Sequence, residues 1–295
     1  MRVVVATTGG LFTFSGSTRA ALEGREIGAI AARGDEMWAV VDRHSLWKSA
    51  DGDRWEPVTM VEERSINCLL PLDDSVLVGT SEAHLFSVEG EEVDEVSSLA
   101  DAPGRSEWFT PWGGAPDVRS LSRASSGTVF VNVHVGGILR TPDLDRWAAT
   151  IEIESDVHEV LAAEDALYAA TAWGLAISDD EGDSWSYERE GLHATYARAV
   201  AVGSETVLMS SSEGPRGRRS ALYRRESEGA GFVKCDGGLP DWFAHNIDSG
   251  YLAASGPVAA FATEEGGVFL SEDGGGAWRL LADGLPPARS VLVYT

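Results

Sequence analysis

Residues 157–189 read VHEVLAAEDALYAATAWGLAISDDEGDSWSYER. Four short runs, VHEVLAA, ALYAAT, GLAIS and WSYER, are rich in apolar, β-branched and aromatic residues and are set apart by turn formers, which predicts four strands, A to D. Between the third and fourth runs lies SDDEGDSW, Ser178–Trp185. Its Ser and Asp side chains can bond the backbone of their own turn, its glycine permits positive φ, and its tryptophan supplies a large apolar face for packing.

The unit recurs along the chain. A β-rich run, a tight polar or glycine turn and a short apolar pair appear as VVVATTGGLF, MWAVVDRHSLW, VLVGTSEAHLF, VFVNVHVGGIL, LYAATAWGLA and FATEEGGVF, with a longer turn in VLMSSSEGPRGRRSALY. The equivalent apolar positions are Leu11, Leu46, Leu85, Ile138, Leu175, Leu222 and Val268, about 35 to 53 residues apart, a spacing that suits one four-stranded blade per repeat. Seven copies predict an all-β, seven-bladed β-propeller occupying residues 1–295 as a single domain. The chain ends on ARSVLVYT, an A strand with nothing after it, and residues 3–23 supply B, C and D with no A before them. Blade 1 is therefore expected to combine residues 3–23 with residues 288–295, which removes a free sheet edge.

The C–D box itself returns as SADGDRW (Ser49–Trp55), TPDLDRW (Thr141–Trp147) and SEDGGGAW (Ser271–Trp278). The boxes of blades 5 and 7 fit S-x-D-x-G-x-x-W in full, those of blades 2 and 4 are one residue short, and blades 1, 3 and 6 lack one. These turns resemble the Asp-box, or BNR, repeat of sialidase-like propellers, and the chain as a whole is similar to small bacterial sialidase-like BNR proteins. The resemblance implies the fold and places the boxes on the face opposite the active site. It does not extend to sialidase catalysis, because the catalytic members have six blades and an Arg-Ile-Pro segment, and this sequence has neither.

Composition bounds the remaining possibilities. A chain of 295 residues with 43% hydrophobic content and 33 glycines fits a turn-rich globular protein. Only two cysteines occur, Cys68 and Cys235, so no disulfide framework is expected, and a reducing, cytoplasmic setting is the default reading. The N-terminus lacks the pattern of a secretory signal, and no apolar run is long enough to span a membrane. A net charge of −24 repels polyanions and acidic lipid surfaces, so neither nucleic acid nor membrane is an expected partner. Phosphate-loop, zinc-protease, C-x-x-C and nucleophile-elbow motifs are all absent, and no cofactor is expected.

The informative residues are those the repeat does not use. Setting aside box and strand tryptophans leaves Trp108, Trp112, Trp173 and Trp242, all in loops expected on the face opposite the boxes. The histidines fall on that face too: His44, His84 and His134 on B–C turns, His193 on a D–A connection, and His158 and His245 at the openings of A strands. Each A strand is read as an apolar residue followed by one variable position: Gly28, Asn67, Arg119, His158, Arg198, His245 and Arg289. Clustered Arg119, Arg198 and Arg289 would make a positive well for a carboxylate, phosphate or sulfate; the bland alternative is that each pairs with a carboxylate such as Asp117, Asp156 or Glu159. The long connection 97–117 reads as a lid carrying Trp108 and Trp112, and the basic stretch Ser212–Ser220 reads as a solvated loop.

The first expectation is thus a binding propeller that holds a small anionic or carbohydrate-like ligand, or a protein partner, with Asn67, Arg119, His158, Arg198, His245, Arg289 and the four loop tryptophans as candidate contacts. A glycoside hydrolase or lyase is the alternative. A glycosidase needs two carboxyl groups about 5 to 9.5 Å apart, and Asp42, Glu62, Glu63, Asp101, Glu107, Glu159 and Asp241 are available. A lyase needs a base, for which His158 or His245 beside Glu159 is the best placed. A third reading is a scaffold resembling the photosystem assembly propellers. His44, His84 and His134 are the weak candidates for a metal.

Overall fold

The computed structural model describes residues 1–111, 113–164, 166–226 and 229–294. Among these, seven antiparallel sheets of four strands each make a seven-bladed β-propeller. In blade 1, strand A is Ala288–Tyr294, followed in the sheet by Arg2–Thr7, Gly10–Phe14 and Thr18–Ala21. The join between the two ends of the chain pairs Val5 with Val291 and Val3 with Val293, as the unmatched terminal strands predict. The other blades run A to D in chain order. They open at Ile27–Arg33, Ile66–Pro71, Val118–Arg123, Val157–Ala163, Tyr196–Val202 and Leu252–Ser255. They close at Glu56–Met60, Glu92–Glu95, Ala148–Ala149, Ser186–Glu188, Val233–Lys234 and Arg279–Ala282.

By compactness the chain divides into two units, Met1–Ile27 with Ala170–Leu175 and Tyr187–Thr295, and Gly28–Ala169 with Ala176–Ser186. In the first, Phe261 is fully buried, stacked on Phe269 at 4.9 Å, and met edge-on by Phe243 at 5.5 Å and Trp278 at 5.1 Å. Burying one such ring stabilises by about 1.5–3 kcal/mol. In the second, Leu77, Leu85, Val118, Val131 and Leu139 pack together. The sheets approach so closely here that a Cβ on Gly79 would lie 2.3 Å from Val118 Cγ1 and 2.7 Å from Cys68 Sγ. Both cysteines are buried and free, and burial pushes each thiol up to about 12.

The four boxes build the same turn despite their different lengths. In blade 5, Ser178 Oγ accepts the Gly182 amide at 2.8 Å and Asp180 Oδ1 accepts the Ser184 amide at 2.9 Å. In blade 2, one residue shorter, Ser49 Oγ takes the Gly52 amide at 2.9 Å and Asp51 Oδ1 takes the Arg54 amide at 2.8 Å. Two tryptophans tie the turn to a preceding segment: Trp147 Nε1 donates to Ser98 Oγ and Trp185 Nε1 to Thr150 O. Trp55 and Trp278 instead donate within their own box, to Gly52 O and Gly275 O.

Two loops are more ordered than their composition predicts. Connection 97–117 contains the 3-10 turns Ser97–Asp101 and Arg105–Glu107, buries Leu99 and Ala102, and is anchored by Arg105 NH1 on Ala83 O at 3.0 Å. The basic stretch 212–220 is a closed turn whose charged side chains Glu213, Arg216, Arg218 and Arg219 lie in solvent. Glu213 N–H donates to Arg218 O at 2.9 Å, and Asn246 Nδ2 donates to Pro215 O at 3.2 Å. Gly217 has φ 70°, and a Cβ there would meet Asn246 N at 2.5 Å, so the turn lies flat on residues 245–246. No helix among the described residues is long and apolar enough to cross a membrane.

Candidate functional site

The variable position of the A strands has a structural meaning that its sequence pattern does not disclose. It is a β-bulge. In blade 4 the pairing skips Arg119 between Val118 and Ser120, and in blade 3 it skips Asn67 between Ile66 and Cys68. Blade 6 skips Arg198 and Ala199, and blade 1 skips Arg289 between Ala288 and Ser290. A bulge leaves its extra residue out of the ladder and re-aims its side chain, which is why a non-repeating residue type is tolerated there.

Blade 7 departs from this reading. Its strand A begins at Leu252, so His245 lies ahead of the strand and does not open it. The cause is the turn Asp248–Tyr251, where the Tyr251 amide donates to Asp248 O at 2.9 Å and Gly250 takes φ 77°. His245 is 53% exposed, with Nδ1 3.6 Å from Glu264 and Nε2 3.7 Å from Glu265.

That same turn delivers Asp248 to Arg198. NH1 of Arg198 lies 2.8 and 2.9 Å from the two carboxylate oxygens, and NH2 donates to Tyr196 Oη at 3.2 Å. Only 13% of the Arg198 side chain is exposed. Burial would lower its pKa, but the Asp248 charge more than offsets this and holds it above the usual arginine value. Arg289 donates to Tyr251 Oη at 3.3 Å and stands 3.8 Å from Glu26. Burial raises the Tyr251 phenol against the lowering effect of Arg289. The expected positive well is thus compensated at these two arginines: each stands beside a carboxylate, as the mostly buried Arg198 requires. What the geometry offers instead is a polar cavity of about 360 Å³ at the opening of blades 6 and 7, bounded by Arg198, Arg216, His245, Asn246, Asp248, Tyr251 and their neighbours.

A second cluster forms at the opening of blades 4 and 5. Arg119 NH1 is 3.3 Å from His134 Nε2, which in turn is 3.4 Å from Asp156 Oδ1. His158 is fully buried, with Nε2 3.6 Å from Asp156 Oδ2. Burial pushes the Asp156 carboxyl up, but His134, His158 and Arg119 outweigh it and hold it below the usual carboxylate range. The carboxylate beside His158 is therefore Asp156, where the sequence reading favoured Glu159 as its catalytic companion.

The remaining expected residues disperse. His44 Nδ1 meets Arg64 O at 2.8 Å and His84 pairs with Glu95, so neither joins His134 at a common metal site. Asn67 donates to Val118 O at 3.3 Å. Trp108 lies under the Arg105 guanidinium at 5.0 Å, and Trp112 lies outside the described residues. Trp173 is 54% exposed on its B–C turn. Trp242 is capped by two cations, Lys234 at 4.0 Å and Arg219 at 4.2 Å from the ring centre, and by His193 at 4.7 Å. Burial and the Arg219 charge push the His193 pKa down, while its Nδ1 bonds Tyr223 Oη at 2.7 Å. Asp248 is the functional candidate the sequence did not single out. Its only signal there was the Asp-Ser-Gly turn signature.

No family model matches the chain, and no curated protein matches it. Solved structures do. YCF48 bound to D1 peptide is similar at a TM-score of 0.61 and 16% identity, covering 95% of this chain and 85% of that one. YCF48 from Cyanidioschyzon merolae gives 0.61 and 15%, covering 91% and 88%. The GH74 enzyme of Niastella koreensis gives 0.70 and 12%, covering 94% of this chain and 51% of that one. At such identities the likeness shows the β-propeller fold alone. The Asp-box resemblance rests on the four boxes themselves.

Proposed function

We propose that the chain is a binding propeller whose ligand is a small carbohydrate-like molecule carrying one anionic group, held at the opening of blades 6 and 7. The observation that carries this reading is the cavity with opposed charges on its walls, Arg198 and Arg216 against Asp248 and Glu264. A bare anion would meet as many carboxylates as guanidinium groups there. A polyol needs acceptors for its hydroxyls as well as donors, and a single carboxylate on it would find Arg216, which is exposed. The walls are held in place before any ligand arrives, by the Arg198–Asp248 pair and by Asn246 on the 212–220 turn. Such preorganisation lowers the ordering cost of binding.

Calorimetric titration with glucuronic acid, glucose and inorganic phosphate tests the reading. Glucuronic acid is expected to bind more tightly than glucose, and phosphate not measurably. Arg216→Ala should weaken glucuronic acid by about tenfold, the equivalent of ~1.4 kcal/mol, and leave the melting temperature unchanged. Absence of binding by both sugars up to millimolar concentrations would sink the proposal. A protein partner at the same place is the second reading. It is favoured by the exposed Arg216 and Arg218 on the 212–220 turn and by the peptide-bound state of the YCF48 neighbour. Binding of an acidic peptide, lost in an Arg216→Ala, Arg218→Ala double variant and indifferent to glucuronic acid, would favour it instead.

A further inference from the structure

We propose that His134, Asp156 and His158 form a binding site for a divalent transition-metal ion of the zinc class. Among the described residues they are a group of metal-ligating side chains whose ligand atoms all lie within 4.8 Å of one another. Asp156 and His158 stand two residues apart where blade 5 begins, and the Asp156 carboxylate reaches to 3.6 Å from His158 Nε2. Asp156 closes the 3-10 turn Ile153–Ser155 in a left-handed conformation, φ 47° and ψ 68°, immediately before the strand. His134 arrives from the B–C turn of blade 4, where its amide is held on Asp117 O at 2.9 Å. Three ligands from two neighbouring blades are thus positioned by backbone that is fixed independently of any ion.

The separations leave room for an ion between the side chains. The contacts of 3.4 Å between His134 and Asp156 and 3.6 Å between His158 and Asp156 are long for N–H···O bonds, which run from about 2.7 to 3.2 Å. Ligands bound tetrahedrally to zinc at about 2.0–2.1 Å lie about 3.4 Å from one another, and with one ligand atom from each residue inside 4.8 Å of the others, small side-chain rotations bring the three to that spacing. Two imidazoles with one carboxylate suit zinc and its transition-metal neighbours and not magnesium or calcium, which prefer all-oxygen sites. Three protein ligands leave a fourth position open. His158 is buried, while His134 is 12% and Asp156 32% exposed, which gives an approach from the Asp156 side. Arg119 NH1, 3.3 Å from His134 Nε2, must give up that contact when the ion takes the nitrogen lone pair. Its positive charge, next to the cluster, favours an anionic fourth ligand. The site shares no residue with the cavity at blades 6 and 7, so it stands or falls separately from the carbohydrate reading.

Tag-free protein, stripped with chelator, is titrated with zinc chloride by calorimetry and assayed for bound metal. One zinc per chain at micromolar affinity or tighter is expected, with a rise in melting temperature that magnesium does not reproduce. His134→Ala and Asp156→Asn should each weaken zinc by about tenfold or more while the apo protein keeps its circular dichroism spectrum. His84→Ala, whose imidazole pairs with Glu95, should bind zinc as the parent does. The buried His158 is left intact, because its removal endangers the fold and the two more accessible ligands carry the test. Zinc binding no tighter than millimolar, or parental affinity in both His134→Ala and Asp156→Asn, overturns the proposal.

Discussion

In the turn Ser178–Trp185 the Ser and Asp side chains find partners within four residues of themselves: Gly182 for Ser178, and Ser184 for Asp180. At the bulge of blade 6 the Arg198 guanidinium finds its partner fifty residues along the chain, at Asp248. The first arrangement closes within a single turn, so its residue types and spacing are fixed together and the sequence displays them. The second depends on a bulge in one blade and a delayed strand start in the next. Local closure makes a repeat visible, and long-range closure hides a pairing from the sequence.

The sharpest way to break that contrast is to attack the box at its least local member. Trp278 donates to its own turn, but its ring is buried against Phe261. Trp278→Ala should destabilise by about 4 kcal/mol in urea titration, whereas Trp55→Ala, half-buried in the shorter box of blade 2, should lose far less. Equal losses would mean that the box hydrogen bonds, rather than the core, set the contribution of these tryptophans. Next comes the long-range pair. Asp248→Ala leaves a mostly buried guanidinium without its carboxylate, and about 2 kcal/mol should be lost. That is less than a fully buried pair would lose, because Asp248 is 33% exposed. A double Arg198→Met, Asp248→Ala variant should recover part of the loss. Recovery of none of it would show that the pair stabilises in its own right.

These effects explain what could be read in advance. Blade number, the strands of blade 5 and the joining of residues 288–294 to residues 2–7 rest on alternation and on turn residues, both of them local. The variable position was legible as a position, since an apolar residue precedes Asn67, Arg119, Arg198 and Arg289 each time. Its bulge was not, because pairing register belongs to two strands at once. His245 fitted the one-dimensional pattern and missed the strand, because Asp248–Gly250 postpones the pairing of blade 7. His134 was picked out with His44 and His84 as equivalents on successive blades. Its companions turned out to be Asp156 and His158, brought to it by the packing of blade 5 on blade 4, which no motif records.

The smallest effect separates local from long-range closure by pH. Backbone and side-chain donors within the turn hold the Asp143 and Asp180 carboxyls at about 2, below the ordinary 3.8. For Asp143 the Arg146 amide contributes most, and for Asp180 the Ser184 hydroxyl. A carboxyl whose pKa is depressed on folding contributes stability above the unfolded value, and that contribution disappears as pH falls through the folded value. The window therefore runs from about pH 4 down to about pH 2. Both groups are exposed, so solvent screening keeps the contribution small. Melting temperatures followed between pH 5 and pH 2 should fall less steeply in an Asp143→Asn, Asp180→Asn variant than in the parent. The two curves should converge at the acid end, because there the parent's carboxyls have taken up the proton that the amides mimic. Parallel curves would show that the turns do not sense acid, and that the donors around these carboxylates act on geometry alone.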